Sequence, residues 1–83
     1  MQSEIIISDH AKERAKTYNL TEKIIIEAIK NPDEIIKGYA GTFIAHKSLN
    51  EHLLRVVYVE EKDKAKIITV YPAKKERYSK INK

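Results

Sequence analysis

The stretch from His52 to Ala73, HLLRVVYVEEKDKAKIITVYPA, decides the fold. Two runs rich in β-branched residues, HLLRVVYVEE (52–61) and AKIITVYPA (65–73), flank a charged EKDK. That arrangement suits a hairpin with a loop of about four or five residues. Alternation places Leu54, Val56 and Tyr58 on one face of the first strand, and Leu53, Arg55, Val57 and Val59 on the other. Both faces are largely apolar, so these strands belong at the centre of a sheet. Arg55 is the exception. A lone charge on an apolar face is costly, so Arg55 either pairs with an acid such as Glu34 or Glu51 or opens onto a concave surface.

Upstream, EIIKGYAGTFIAHK (34–47) reads as two short strands around Gly38 to Gly41, with a weaker alternation that also allows a loop. Before Pro32 the periodicity becomes helical. In SDHAKERAKTYN (8–19), Ser8 or Asp9 can cap the first amides, and Ile7, Ala11, Ala15 and Tyr18 form one narrow packing stripe. Asn19 tolerates the left-handed conformation that stops a helix. Thr21 then caps a second helix, with Leu20 and Ile25 placed as a hydrophobic staple. Ile25, Ile29 and either Ala28 or Ile24 form its buried face, and Asn31-Pro32 ends it. The expected fold is α+β: two N-terminal helices packed on one face of a twisted antiparallel sheet, in a single domain over residues 1–83 with a frayed SKINK end at 79–83.

Composition narrows the chemistry. An 83-residue chain buries only about 60–65% of its unfolded surface, which leaves a small stability margin and little room for a deep cleft. It has no cysteine, which removes disulfides, thiolate nucleophiles and cysteine-based zinc sites, and fits a reducing compartment. Apolar runs such as Ile5–Ile7 and Ile24–Ile26 fall far short of the roughly 20 residues needed to span a bilayer, and Glu4 stands where a signal peptide carries positive charge. A cytoplasmic protein without a membrane segment is expected. The acids are scattered, His10, His46 and His52 have no H-x-x-x-H spacing, and the two glycines make no phosphate loop. Neither a metal site nor a cofactor is expected.

Charge is skewed. From Lys62 onward eight Lys/Arg face only Asp63 and Glu76, whereas residues 1–61 carry eight against ten acids. The basic end, VYPAKKERYSK (70–80), interleaves Tyr71, Lys74, Lys75, Arg77 and Tyr78. Cations of this kind grip phosphate and aromatic faces stack on bases, although a solvated tail is the usual reading of such a run. On the first helix His10 and Arg14 lie four apart, so they point the same way and can address one anion together. That spacing alone favours a structural role, with His10 packed on the sheet and Arg14 paired with Asp9 or Glu13.

The order of motifs adds to this: SDHAKER (8–14), NLT (19–21), NPD (31–33), LRVVY (54–58) and IITVY (67–71). It resembles a family of small bacterial and archaeal domains of unknown function with the pattern S-x-H-A-x-x-R, G-[IL]-[ST], N-P, L-R-V-V-Y and T-V-Y, itself similar to the RelE/ParE toxin superfamily and its BrnT-like branch. The resemblance implies a RelE-like fold and, for toxin members of type II toxin–antitoxin systems, a metal-independent endoribonuclease that acts on RNA or the ribosome and is neutralised by a small antitoxin protein. By position it carries over His10, Arg14, Arg55, Tyr71 and Arg77 as catalytic; Lys74, Lys75 and Tyr78 of the basic run are expected to bind substrate. Two departures stand out: Tyr18 replaces an arginine often found four residues after the first, and Asn19 replaces the usual glycine. Beside the ribonuclease stand two alternatives, a non-catalytic interaction module and an RNA-binding domain, each using the basic C-terminal hairpin.

Overall fold

The structure is a computed structural model that describes residues 4–74. The strands are β1 (Glu4–Ile7), β2 (Glu34–Lys37), β3 (Phe43–Leu49), β4 (His52–Glu61) and β5 (Lys64–Lys74), and the helices are α1 (Asp9–Thr17) and α2 (Glu22–Lys30). They form one sheet in the order β1-β5-β4-β3-β2. The fold class is α+β as expected, with β4 and β5 near the centre. The sheet is mixed, however, because β1 runs parallel to β5 along one edge. Three consecutive isoleucines carry no period, so nothing in the sequence separated this strand from an apolar lead-in to the helix.

Both helices begin and end as their caps dictate. The Ser8 hydroxyl accepts from the Ala11 amide at 3.1 Å, and Thr21 does the same for Ile24 at 3.2 Å. After Tyr18 the chain turns through Asn19 at φ 62°. The Leu20 amide reaches back to the Ala15 carbonyl at 2.7 Å and that of Asn19 to Lys16 at 3.1 Å, the paired bonds that close a left-handed helix terminus. Ala11, Ala15, Ile25, Ala28 and Ile29 are buried against Leu54, Val56, Tyr58, Ala65, Ile67 and Val70 of the sheet. On α2 the third core position is therefore Ala28, with Ile24 only half-buried. Two positions depart from the expected stripe: Ile7 is the last residue of β1 and not part of α1, and Tyr18 is 40% exposed.

The β4–β5 hairpin is tighter than EKDK suggested. Pairing continues to Glu61 opposite Lys64, leaving Lys62 and Asp63 as the turn, with Lys62 at φ 57°. A β-bulge follows. Tyr58 pairs with Ile67, but Val57 pairs with Thr69, so Ile68 has no partner across the ladder. The extra residue shifts the alternation by one. Ala65, Ile67 and Val70 all reach the core, and Tyr71, which unbroken alternation would send inward with Ile67, stands directly opposite Arg55 on the face away from the helices.

Tyr58 is buried on the core face, its ring 5.8 Å from that of Phe43. Burial first, and the negative charge of Glu60 second, push its phenol above the ordinary range. Because the folded chain holds that proton more tightly, the associated stability is fully present below the ordinary phenol range and is lost as pH rises through the raised value. Denaturant midpoints measured from about pH 8 to about pH 11 should fall at the alkaline end, and Tyr58→Phe should flatten the fall relative to the parent. Equal slopes in the two proteins would show that another group controls it.

Candidate functional site

Ser8 ties three elements together. Its amide donates to the Ile67 carbonyl at 3.1 Å and its hydroxyl donates to the Ile68 carbonyl at 3.1 Å, while the same oxygen caps α1. The parallel strand thus ends, and the helix starts, beside the bulge. From there α1 lies against β5 where β1 no longer covers it. His10, Arg14 and Tyr18, four residues apart on one side of the helix, line a cavity of about 330 Å³ with Thr69, Val70 and Tyr71 of β5. His10 and Arg14 are exposed. The structural role suggested by their spacing is not what the fold shows: His10 is not packed into the core, and among the described residues Arg14 makes no ion pair. A second hollow of similar volume lies between the helices, lined by Ile7, Lys12, Ala15, Leu20 and Ile25 among others. It offers ammonium and carboxylate groups but neither imidazole nor phenol.

Tyr71 also belongs to a row that crosses the sheet. Glu34 is opposite His46, His46 opposite Arg55, and Arg55 opposite Tyr71, one residue from each of β2, β3, β4 and β5. Residues directly opposite share a face, so the four side chains line up on the face away from the helices. Arg55 Nη1 donates to the Tyr71 hydroxyl at 2.7 Å, and Arg55 Nε donates to His46 Nε2 at 3.1 Å. His46 Nδ1 lies 3.4 Å from Glu34 Oε1. The guanidinium carbon is also 5.4 Å from the centre of the Tyr71 ring, within cation–π range. The cost of placing Arg55 on an apolar strand face is met in this way. Glu34, one of the two acids expected to pair with it, stands one position farther along the row, behind His46.

The geometry constrains the chemistry. A guanidinium only donates, so the Tyr71 oxygen must accept from Arg55, which leaves the phenolic O–H to donate elsewhere. An exposed imidazole and a guanidinium with no ion pair among the described residues therefore share one cavity with Tyr71, whose hydroxyl Arg55 holds in the row across the sheet. Arg55 stands outside the lining but holds one of its members.

Among the other expected site residues, Lys74 is exposed at the end of β5, opposite His52, and does not line the cavity. Lys75, Arg77 and Tyr78, with the SKINK end, lie outside the described residues. His46 was missed as a site residue. It is 3% exposed, and its place follows only once the β3–β4 register is known, with Leu49 opposite His52 across a turn at Asn50 and Glu51.

Residues 7–72 match the family model of a domain of unknown function, DUF4258. The chain belongs to the DUF4258 family. The matched span begins at the end of β1 and closes just after Tyr71, so it includes His10, Arg14, His46 and Arg55. No curated protein and no solved structure matches this DUF4258 chain. No helix among its described residues is long and apolar enough to cross a membrane.

Proposed function

We propose that this DUF4258 domain is a toxin-like protein of a type II toxin–antitoxin system, a metal-independent endoribonuclease that works on RNA in the cytoplasm at the cavity between α1 and the outer part of β5. The motif order that resembles the RelE/ParE superfamily supports the reading. The observation that carries it is the meeting of His10, Arg14 and Tyr71 at one cavity, with the Tyr71 oxygen held by Arg55.

The reaction needs three things: a base, an acid and charge stabilisation. His10 takes the proton from a ribose 2′-hydroxyl, whose oxygen forms a bond to the adjacent phosphorus. Arg14 faces the negative charge that builds on the phosphorane oxygens. As the bond from phosphorus to the 5′-oxygen breaks, Tyr71 donates its phenolic proton to that oxygen. The phenolate left behind sits against the Arg55 guanidinium. The products are a 2′,3′-cyclic phosphate and a 5′-hydroxyl, and no metal takes part.

Expression of the chain should arrest growth, and the purified protein should cut single-stranded RNA or ribosome-bound message in the presence of a chelator. Intact RNA, uncut ribosomal complexes and normal growth together would sink the reading. A specific observation favours the interaction module as the alternative: among the described residues β1 pairs with β5 over Lys64–Ile67, while β5 runs on to Lys74. A strand edge of this kind can accept an extended partner segment. Tight binding of an acidic small protein encoded next door, with RNA ignored, is the outcome that reading expects.

A further inference from the structure

We propose that His46 is the positioning residue of this site: as a neutral imidazole protonated on Nδ1 and oriented by Glu34, it holds Arg55 on the Tyr71 hydroxyl. The role assigned to the resulting contact rests on the ribonuclease reading; the tautomer and the hold on Arg55 do not.

The tautomer follows from the bonds. The Nε of arginine always carries a hydrogen, so His46 Nε2, 3.1 Å away, must present its lone pair. The single ring proton of the neutral form is then on Nδ1, which faces Glu34 Oε1 at 3.4 Å. A carboxylate on one ring nitrogen fixes which nitrogen is free to act on the other side, as it does for histidines that bind metals or serve catalytic serines. Glu34 from β2, Arg55 from β4 and, beyond Arg55, Tyr71 from β5 are the ionisable groups of the row.

Geometry supplies the second step. The guanidinium is planar, so fixing Nε in the sheet-face row fixes the plane and the direction of Nη1. Nη1 then meets the Tyr71 oxygen at 2.7 Å. Without an acceptor at the His46 position, Arg55 keeps its charge but loses its orientation, and the phenolate formed when Tyr71 gives up its proton loses a preorganised partner. His46 touches neither the cavity nor a substrate placed there, so its part in the chemistry is exerted through Arg55.

The test uses the full chain and reads the tautomer directly. Long-range ¹H–¹⁵N correlation spectra at neutral pH should show His46 Nε2 unprotonated and Nδ1 protonated, with the Arg55 Nε–H protected from solvent exchange. His46→Leu should raise the exchange rate of that Nε–H by about tenfold, the equivalent of one ordinary hydrogen bond, and His46→Gln, whose side-chain oxygen can accept in place of Nε2, should restore protection. In RNA cleavage, His46→Leu should lower kcat on the order of tenfold with KM unchanged, and His46→Gln should recover most of it. A proton on Nε2, or unchanged Arg55 exchange in His46→Leu, overturns the proposal. If the spectra and the exchange pattern hold but the parent protein cuts no RNA, the hold on Arg55 stands and the ribonuclease reading falls.

Discussion

Replacing Tyr71 with phenylalanine should lower kcat/KM for RNA cleavage by about 10²- to 10³-fold, with little change in thermal stability. The substitution keeps the ring, its cation–π contact with Arg55 and its place opposite Arg55 in the ladder. It removes only the hydroxyl. In the proposed reaction that group is the proton donor to the leaving 5′-oxygen, and its oxygen is the acceptor for Arg55 Nη1. The row is only half-buried at Arg55 and Tyr71, so water can satisfy the released guanidinium at small cost. Steady-state cleavage of a short RNA, read beside a circular-dichroism melt, separates chemistry from folding. A loss below about threefold with an unchanged melt would remove Tyr71 from the reaction.

The largest effect on stability is expected at Leu54, which is fully buried on the core face of β4 and paired on both sides, with Lys47 of β3 and Pro72 of β5. Leu54→Ala should cost about 3–4 kcal/mol, the transfer free energy of the lost isopropyl group plus a cavity term that a sheet held on both sides cannot relax away. A chain of this length has roughly 4–12 kcal/mol in total, so much of the protein would unfold near room temperature if its margin is at the low end. Ile68 is the contrasting position. It is 37% exposed at the bulge, and Ile68→Ala should cost under about 1 kcal/mol because little apolar surface returns to water. Urea unfolding with the slope held constant compares the two. Equal losses at both positions would contradict the claim that burial on the core face of β4 sets the larger cost.

What the sequence revealed and what it hid have physical causes. The helices were legible because their ends are written in single residues: Ser8 and Thr21 accept from specific amides, and Asn19 adopts the left-handed turn that its side chain tolerates. The faces of β4 were legible because Leu54, Val56 and Tyr58 alternate cleanly with Arg55 and Val57. The bulge was not, because Ile67 and Ile68 are identical and differ only in which one faces the core. That ambiguity hid the face on which Tyr71 lies. It also hid the row itself, since the partner of Arg55 depends on register, and register depends on short turns whose Asn50 and Lys62 residues give weaker signals than glycine would. His10 and Arg14 were visible as a pair on the helix. That they meet Tyr71 follows from Ser8 anchoring the helix to the bulge, a contact between residues sixty apart in the chain.

The central claim, that His10, Arg14 and Tyr71 form one phosphodiester site, is tested most directly by binding without turnover. An RNA carrying a single 2′-deoxy nucleotide at the scissile position cannot cyclise, and can be titrated into isotope-labelled protein while side-chain resonances are followed. The predicted result is saturable shifts of the His10 imidazole, the Arg14 guanidinium and the Tyr71 ring with one affinity that weakens as salt rises. Saturation that leaves those three groups unmoved, with shifts confined to the Lys62–Lys66 end of the hairpin, would contradict it.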